Sequence, residues 1–86
     1  MYERVNERVS VVAIFRDTTP IFEPVKFKWK GRERIVQKVG YVYKYKEGQA
    51  LVHVVSVTDG ESFYELLFDS QKLTWTIGRM AVNDSS

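Results

Sequence analysis

The sequence predicts an all-β protein: a six-stranded antiparallel meander that curls into a small barrel or a two-layer roll. Three observations lead to this prediction. Apolar and polar residues alternate with a period of two in several segments, glycine- and aspartate-containing turns separate those segments, and no stretch has the spacing of an amphipathic helix. The sheet should curl because a flat one would leave its large aromatic residues, such as Trp29 and Trp75, uncovered.

The chain is long enough for one domain. Its 86 residues are 44% hydrophobic and 14% aromatic, which is enough apolar surface to form one modest core. We therefore expect a single β domain over residues 1–82 and a frayed tail over residues 83–86. The chain has no cysteine, no early apolar run and no segment near the ~20 apolar residues that cross a bilayer, and this predicts a cytoplasmic protein that does not enter a membrane.

The clearest predicted strand runs from Val25 to Lys30. Alternation places Val25, Phe27 and Trp29 on one face and three lysines on the other. Pro24 cannot donate a hydrogen bond to a neighbouring strand, so we expect it to begin an edge strand.

The turn after this strand can be drawn in two ways. A two-residue turn of Gly31 and Arg32 pairs Lys30 with Glu33, whereas a three-residue turn that includes Glu33 aligns the preceding tryptophan with Ile35. The sequence leaves both registers open.

The remaining strands follow at hairpin spacing. The six predicted strands are Arg8–Arg16, Val25–Lys30, a long strand from the Gly31 turn to Lys46, Ala50–Thr58, Ser62–Asp69 and Leu73–Met80. Gly40 should form a bulge that bends the long strand. Asp59 and Gly60 predict a type I′ hairpin turn, which needs positive φ at both central positions. The stretch Glu65–Phe68 could alternatively form one helical turn.

The apolar pattern also predicts which side chains are buried. The first strand should be buried on both faces, and Ala50–Thr58, the most continuously apolar strand, should be central. Leu73, Trp75 and Ile77 should point together into the interior. In the connection after the first strand, two apolar residues, Ile21 and Phe22, can still cover the core.

Positive charge is concentrated in residues 25–46, which hold eight lysines and arginines against one glutamate, a net +7, while residues 47–86 carry −4. Tyrosines interleave with the last of these lysines, and such rings can stack on unpaired bases while lysines follow the phosphates. The candidate binding residues are Lys26, Lys28, Lys30, Arg32, Arg34, Lys38, Tyr41, Tyr43, Lys44, Tyr45 and Lys46. The alternative is that the lysines only solubilise exposed strands and that the tyrosines cover the core.

The sequence offers little for catalysis or for metal binding. His53 is the only histidine, it lies in an apolar strand, and we expect it to be a half-buried structural residue that is satisfied by a hydrogen bond. An enzyme would need His53 to meet carboxylates of Asp59, Glu61 or Glu65. We therefore predict no enzyme, no cofactor, no metal site and no small-molecule substrate.

The segment Val25–Val36 resembles the first hairpin of the small basic DNA-binding chromatin proteins of hyperthermophilic archaea, which are SH3-like barrels. This resemblance implies an SH3-like barrel as a variant of the predicted fold. In that family DNA is bound mainly by the following three-stranded sheet, and the C-terminal helix of that family has no counterpart here. The resemblance therefore implies no particular binding residue.

A longer resemblance runs from Pro24 to Arg79. Its motifs, in chain order, are a proline, Phe27-x-Trp29-x-Gly31-Arg32, Phe63-Tyr64-Glu65-Leu66, Asp69 and Trp75-x-Ile77-x-Arg79. This layout is similar to that of a family of small bacterial domains of unknown function, some of which are encoded near translesion DNA polymerases. This chain differs in carrying Arg34 where an aromatic residue often lies and in the strand before Pro24. The resemblance implies a small all-β accessory protein.

Two functional predictions result. The first is a non-catalytic β module that binds nucleic acid, or a DNA-repair polymerase, through the basic strand pair. The alternative is a module for protein interaction or homodimerisation that does not bind nucleic acid.

Overall fold

The computed structural model describes residues 2–15, 17 and 22–82, and these residues form one sheet of seven antiparallel strands. The strands are β1 (Glu3–Phe15), β2 (Phe22–Trp29), β3 (Arg32–Ile35), β4 (Lys38–Glu47), β5 (Ala50–Thr58), β6 (Ser62–Asp69) and β7 (Thr74–Val82). Their order across the sheet is β3-β2-β1-β7-β6-β5-β4. The all-β antiparallel class is confirmed, but the sheet has seven strands rather than six and is not closed into a barrel, because β3 and β4 remain its two edges.

Strand β1 is long enough to serve two halves of the sheet. Its residues 3–9 pair with β7 and its residues 10–15 pair with β2. We call β4, β5, β6, β7 and the first half of β1 the first layer, and the second half of β1, β2 and β3 the second layer. The inner faces of the two layers meet where the rings of Phe27 and Tyr64 pack edge to face, with centroids 4.9 Å apart. The predicted roll is therefore approximately correct.

The core lies between the layers. The fully or nearly buried residues that form it are Phe27, Trp29, Val55, Val57, Tyr64, Leu66 and Ile77. Alternation along β2 and β7 explains why these side chains are buried, since Phe27, Trp29 and Ile77 occupy the inward-facing positions of their strands. Apolar residues of β1, Val5, Val9 and Val11, pack against the edge of this cluster.

The additional strand arises because the long predicted strand after Gly31 breaks at Val36 and Gln37. The Val36 N–H donates to the Val25 carbonyl in the second layer, and the Gln37 N–H donates to the Thr58 carbonyl in the first, both at 2.8 Å. The chain therefore crosses from one layer to the other at these two residues. The predicted bulge at Gly40 is confirmed by a register shift between Val39 and Val42.

The β2–β3 turn differs from both predicted registers. Lys30 and Gly31 form the turn, with φ of 53° and 74°, so Trp29 pairs with Arg32 and Lys28 with Glu33. A lysine rarely adopts a positive φ. Here the turn places the Lys30 ammonium 4.8 Å from the centroid of the Trp29 ring, a cation–π contact that partly offsets the strain.

The hairpin predicted after Thr58 forms, but its turn is not type I′. Gly60 has a φ of 97°, whereas Asp59 is not among the described residues with positive φ. The Asp59 carboxylate instead accepts hydrogen bonds from the backbone N–H groups of Glu61 and Ser62, at 2.9 and 2.8 Å. An aspartate side chain that closes its own turn in this way removes the need for a second positive φ.

Burial corrects several other predictions. β1 is only partly buried, and on one face, since Val12 and Ile14 on its other face are 51% and 40% exposed. Leu73 precedes β7 in a turn and is 72% exposed, although Ile77 is buried and Trp75 packs against the core as predicted. Phe22 is 37% exposed, but its ring packs edge to face on the buried Phe68, with centroids 5.0 Å apart, so it covers part of the apolar interior as predicted.

The order of the strands shows which of them are interior and which lie at an edge of the sheet. β5 lies between β4 and β6, which confirms the prediction of an interior strand, and residues 65–68 are extended rather than helical. β2 lies between β1 and β3, so the prediction that Pro24 begins an edge strand is wrong. Pro24 is buried and pairs with Ala13 beside a register shift in β1, a position that tolerates the missing donor. Ile21 and the predicted tail at 83–86 lie outside the described residues.

Candidate functional site

The lysines of β2 lie on the outer face of the second layer. Because Phe27 and Trp29 point into the core, alternation directs Lys26 and Lys28 away from it. The Lys26 ammonium forms an ion pair with the Glu33 carboxylate of β3, with 3.5 Å between Nζ and Oε2. Both groups are substantially exposed, so this ion pair contributes little to stability.

The two arginines of β3 lie on the opposite face of that layer. Arg34 pairs with Phe27 and Arg32 with Trp29, and directly paired residues share a face. The Arg34 side chain is only 16% exposed, lies 3.5 Å from the Asp59 carboxylate and covers the Trp29 ring at 5.3 Å. Arg34 is therefore a structural link between the β2–β3 hairpin and the β5–β6 turn.

Asp59 is held ionised in this link. Burial opposes ionisation, but the backbone N–H groups of Glu61 and Ser62 together with the charge of Arg34 lower the pKa of the Asp59 carboxyl below its ordinary value. The Arg34 guanidinium lies largely buried against Asp59 and the Trp29 ring, and its Nε has no hydrogen-bond partner among the described residues, so burial keeps this group away from phosphate.

The lysines of β4 face differently again. Lys44 pairs with His53 and Lys46 with Leu51. Both lysines alternate with Tyr43 and Tyr45 and therefore lie on the same inner face of the first layer as Val42, which packs on the core. Lys30 is in the β2–β3 turn, and Lys38 is at the start of β4. The predicted basic residues therefore occupy both faces of both layers and do not form one surface.

The three predicted tyrosines do share a surface. Tyr43 and Tyr45 alternate outward along β4, and Tyr41 joins them through its contact with Glu65 of the same outer face. Their exposed fractions are 44% for Tyr41, 49% for Tyr43 and 39% for Tyr45. The rings of Tyr41 and Tyr43 are stacked, with centroids 5.8 Å apart and an interplanar angle of 20°. We call this outer face of the first layer the tyrosine face.

Cations that the sequence did not suggest lie across the tyrosine face. Across the first layer, Tyr43 is followed by its successive paired neighbours, which are Val54, Leu67, Thr76 and Arg8 of β1. Because directly paired residues share a face, Arg8 lies on the tyrosine face. Arg4 pairs with Arg79 in the same way and shares the face. Among the described residues, neither Arg4 nor Arg8 forms an ion pair.

A shallow groove of about 280 Å³ runs across this face from β4 to β1. Tyr45 and Glu47 line one end, and Asn6, Arg8 and Lys72 line the other. Its floor is formed by side chains of the interior strands, Val52, Leu67, Asp69, Thr74 and Thr76. The groove therefore joins an aromatic end to a basic end.

Glu65 organises the centre of the tyrosine face. Its carboxylate is buried, accepts hydrogen bonds from Nε and Nη2 of Arg79 at 2.7 and 3.0 Å, and accepts one from the Tyr41 hydroxyl. The hydrogen bonds from Arg79 are the main cause of the lowered pKa of Glu65. Burial, the hydrogen bond to Glu65 and its charge raise the pKa of Tyr41 well above the ordinary value. The Arg79 guanidinium also covers the Tyr2 ring at 4.5 Å.

The sequence carries no clear signal for Arg4 and Arg8, because Asn6 and Glu7 interrupt the alternation of polar and apolar residues between Val5 and Val9. The charge of residues 25–46 is much denser and directs attention there instead. Arg79 and Lys72 are distant in sequence from the tyrosines, so only sheet pairing brings them to the same face.

His53 is half-buried on the inner face of the first layer, between Lys44 and Phe68. Two of the carboxylates considered as its partners are engaged elsewhere, since Glu65 binds Arg79 on the outer face and Asp59 pairs with Arg34. The expected hydrogen bond is not seen, because the imidazole has no hydrogen-bond partner among the described residues. Over residues 2–15, 17 and 22–82, histidine and acidic side chains form no group of three that could hold a metal ion.

Comparison of the chain with protein-family models, with curated proteins and with solved structures gives no match. Within the described part of the chain, no helix has the length and apolar character needed to traverse a bilayer.

Proposed function

We propose that this protein is a non-catalytic module that binds single-stranded nucleic acid across the tyrosine face. The observation that carries the proposal is the row of three half-exposed tyrosine rings, which shares one groove-bearing face with Arg8 and Lys72. Aromatic rings on an open sheet are stacking platforms for unpaired bases, and each stacked base contributes about 1–3 kcal/mol. Duplex bases are already stacked on one another, so the face favours single strands.

The direction of binding follows from the sheet. The tyrosines lie on β4 and Arg8 lies on β1, four strands away in the first layer. Neighbouring strands are roughly 4.8 Å apart, so about 19 Å separates the two ends of the groove. A bound strand therefore runs across the β-strands, with bases on the tyrosines and phosphates near Arg8 and Lys72.

Electrostatics should play a small part in this binding. The face carries Glu47 and Asp69 as well as its cations, and Arg79 is neutralised by Glu65. Three cations remain for phosphates, Arg4, Arg8 and Lys72, which predicts a log-log salt slope no steeper than about −2 on single strands. A protein that used the eight lysines and arginines of residues 25–46 would show a slope of about −6.

Fluorescence titration with a labelled 12-nucleotide oligothymidine, at two or more salt concentrations, tests the proposal. Tyr43→Ala should weaken binding by roughly 5- to 150-fold, and Tyr43→Phe should bind like the wild type because the ring is kept. Lys26→Ala combined with Lys28→Ala, on the second layer, should leave the affinity unchanged. Binding that is lost in the lysine variant but kept in Tyr43→Ala would contradict the tyrosine face and support the basic strand pair.

A second candidate is self-association through the free edge of β4. This strand has ten residues and, within the described part of the chain, pairs only with β5, so the backbone groups along its other side are proposed to accept a further strand. Two copies joined at this edge would form one continuous sheet. Sedimentation at micromolar to millimolar concentration decides it, and a purely monomeric mass throughout would exclude self-association in that range.

A further inference from the structure

An apolar cavity lies on the inner face of the first layer, on the opposite side of the sheet from the tyrosine face. Its volume is about 230 Å³, and its wall is formed by Phe15, Phe22, Val42, His53, Val55, Phe68 and Trp75. The aromatic rings pack edge to face or tilted around it, with centroids 5.0 Å apart for Phe22 and Phe68 and 4.9 Å apart for Phe68 and Trp75. This cavity has no part in the proposed nucleic-acid binding.

Among the described residues that line the wall, one has a polar side chain, the imidazole of His53. That imidazole, tilted against Phe68 at 6.3 Å between centroids, has no hydrogen-bond partner among the described residues. Its ring nitrogens are therefore able to serve a ligand. A half-buried polar group beside an apolar cavity gives a ligand both a binding energy and an orientation.

Positive charge adjoins this imidazole. Lys44 pairs directly with His53 across β4 and β5, which places the two side chains on the same face with Cβ atoms ~5 Å apart. Lys46 follows on that face, opposite Leu51. No acidic residue lines the described wall of the cavity, so its rim favours an anion.

We propose that this cavity binds a small carboxylic acid with an aromatic tail. The ring lies among Phe22, Phe68 and Trp75, and the carboxylate meets the His53 imidazole and the Lys44 ammonium. An apolar cavity of ~150 Å³ holds a benzene molecule, so the larger volume here suits a phenyl ring with a short alkyl chain. Flat rings match a wall built from aromatic side chains.

The test uses 4-phenylbutyrate as the probe and 4-phenylbutan-1-ol as its neutral match. In a Trp29→Phe variant Trp75 is the only tryptophan, and its fluorescence reports directly on the cavity. Calorimetry on the wild type gives the same affinities if Trp29→Phe is unstable. The acid should bind saturably and at least ~10-fold more tightly than the alcohol, because charge-assisted hydrogen bonds exceed neutral ones.

Lys44→Met removes the charge and keeps the length of the side chain. It should reduce the affinity for the acid at least ~5-fold and leave that for the alcohol unchanged, whereas Lys28→Met on the second layer should change neither. Failure of both probes to bind, or equal affinities that Lys44→Met does not separate, would overturn the proposal. Because the oligothymidine titration uses the opposite face, the two proposals fail or succeed separately.

Discussion

The guanidinium of Arg79 and the carboxylate of Glu65 form a two-pronged pair on the outer face of the first layer, with 2.7 Å between Nε and Oε1. The Glu65 side chain is 7% exposed and that of Arg79 is 49% exposed. The carboxylate is therefore the desolvated member of the pair and depends on the arginine for its charge. The pair links β6 to β7, and the Tyr41 hydroxyl donates a hydrogen bond to the same carboxylate.

Acid should weaken the protein through Glu65. Its folded-state pKa is lowered by Arg79, so the unfolded chain takes up this proton at a higher pH than the folded one. The contribution of Glu65 to stability is complete above the unfolded pKa, ~4.3, and is lost as the pH falls through the folded pKa. Urea melts at pH 7 and pH 3.5 should show a smaller acid-induced loss in Glu65→Gln than in the wild type.

Glu33→Gln is the matched control for this prediction, since the Glu33 side chain is 57% exposed. It should lose as much stability at pH 3.5 as the wild type does. If Glu65→Gln and the wild type lose the same amount, Glu65 does not carry the acid sensitivity.

The two tryptophans should differ in their importance for folding. Trp29 is 8% exposed, belongs to the core cluster and donates from Nε1 to Glu7 at 3.2 Å, whereas Trp75 is half-buried beside a cavity. Trp29→Ala should cost about 3–5 kcal/mol and nearly unfold a domain of this size, and Trp75→Ala should cost less. Lys28→Ala should change the free energy of unfolding by less than about 0.5 kcal/mol. Denaturant melts measure all three, and a larger cost at Trp75 would contradict this order.

Gly40 should tolerate a side chain only if Ser56 is shortened. A Cβ atom added at Gly40 would lie 2.6 Å from the Ser56 hydroxyl oxygen, which is closer than atoms pack. Gly40→Ala should therefore destabilise the protein by about 1–3 kcal/mol. Ser56→Ala removes that oxygen, so the double variant should recover most of the loss. A thermodynamic cycle from urea melts gives the coupling, and a coupling near zero would show that the backbone relaxes instead.

The sequence predicted the core of the fold because the alternation of apolar and polar residues along each strand indicates which side chains are buried. Phe27, Trp29 and Ile77 occupy inward positions that any strand containing them would produce. The interruption between β3 and β4 at Val36 and Gln37 could not be predicted in this way, because an apolar and a polar residue also follow one another within the strands on either side. It depends on hydrogen bonds to Val25 and Thr58, one in each layer.

The candidate site was predicted only in part for a related reason. Alternation correctly grouped Tyr43 with Tyr45, but it cannot say which layer a strand joins. The lysines of β2 and those of β4 therefore looked like one basic segment, although the fold places them on different faces. Arg8 reaches the tyrosine face through pairing with Thr76, a contact between residues far apart in the chain.

The most direct test of the tyrosine face is a map of backbone amide chemical shifts during titration with oligothymidine. We expect the largest changes on β4 around Tyr43 and Tyr45, on Arg8 of β1 and on the turn containing Lys72, with little change around Lys26 and Lys28. Changes concentrated on β2 and β3, or no changes at low salt, would contradict it.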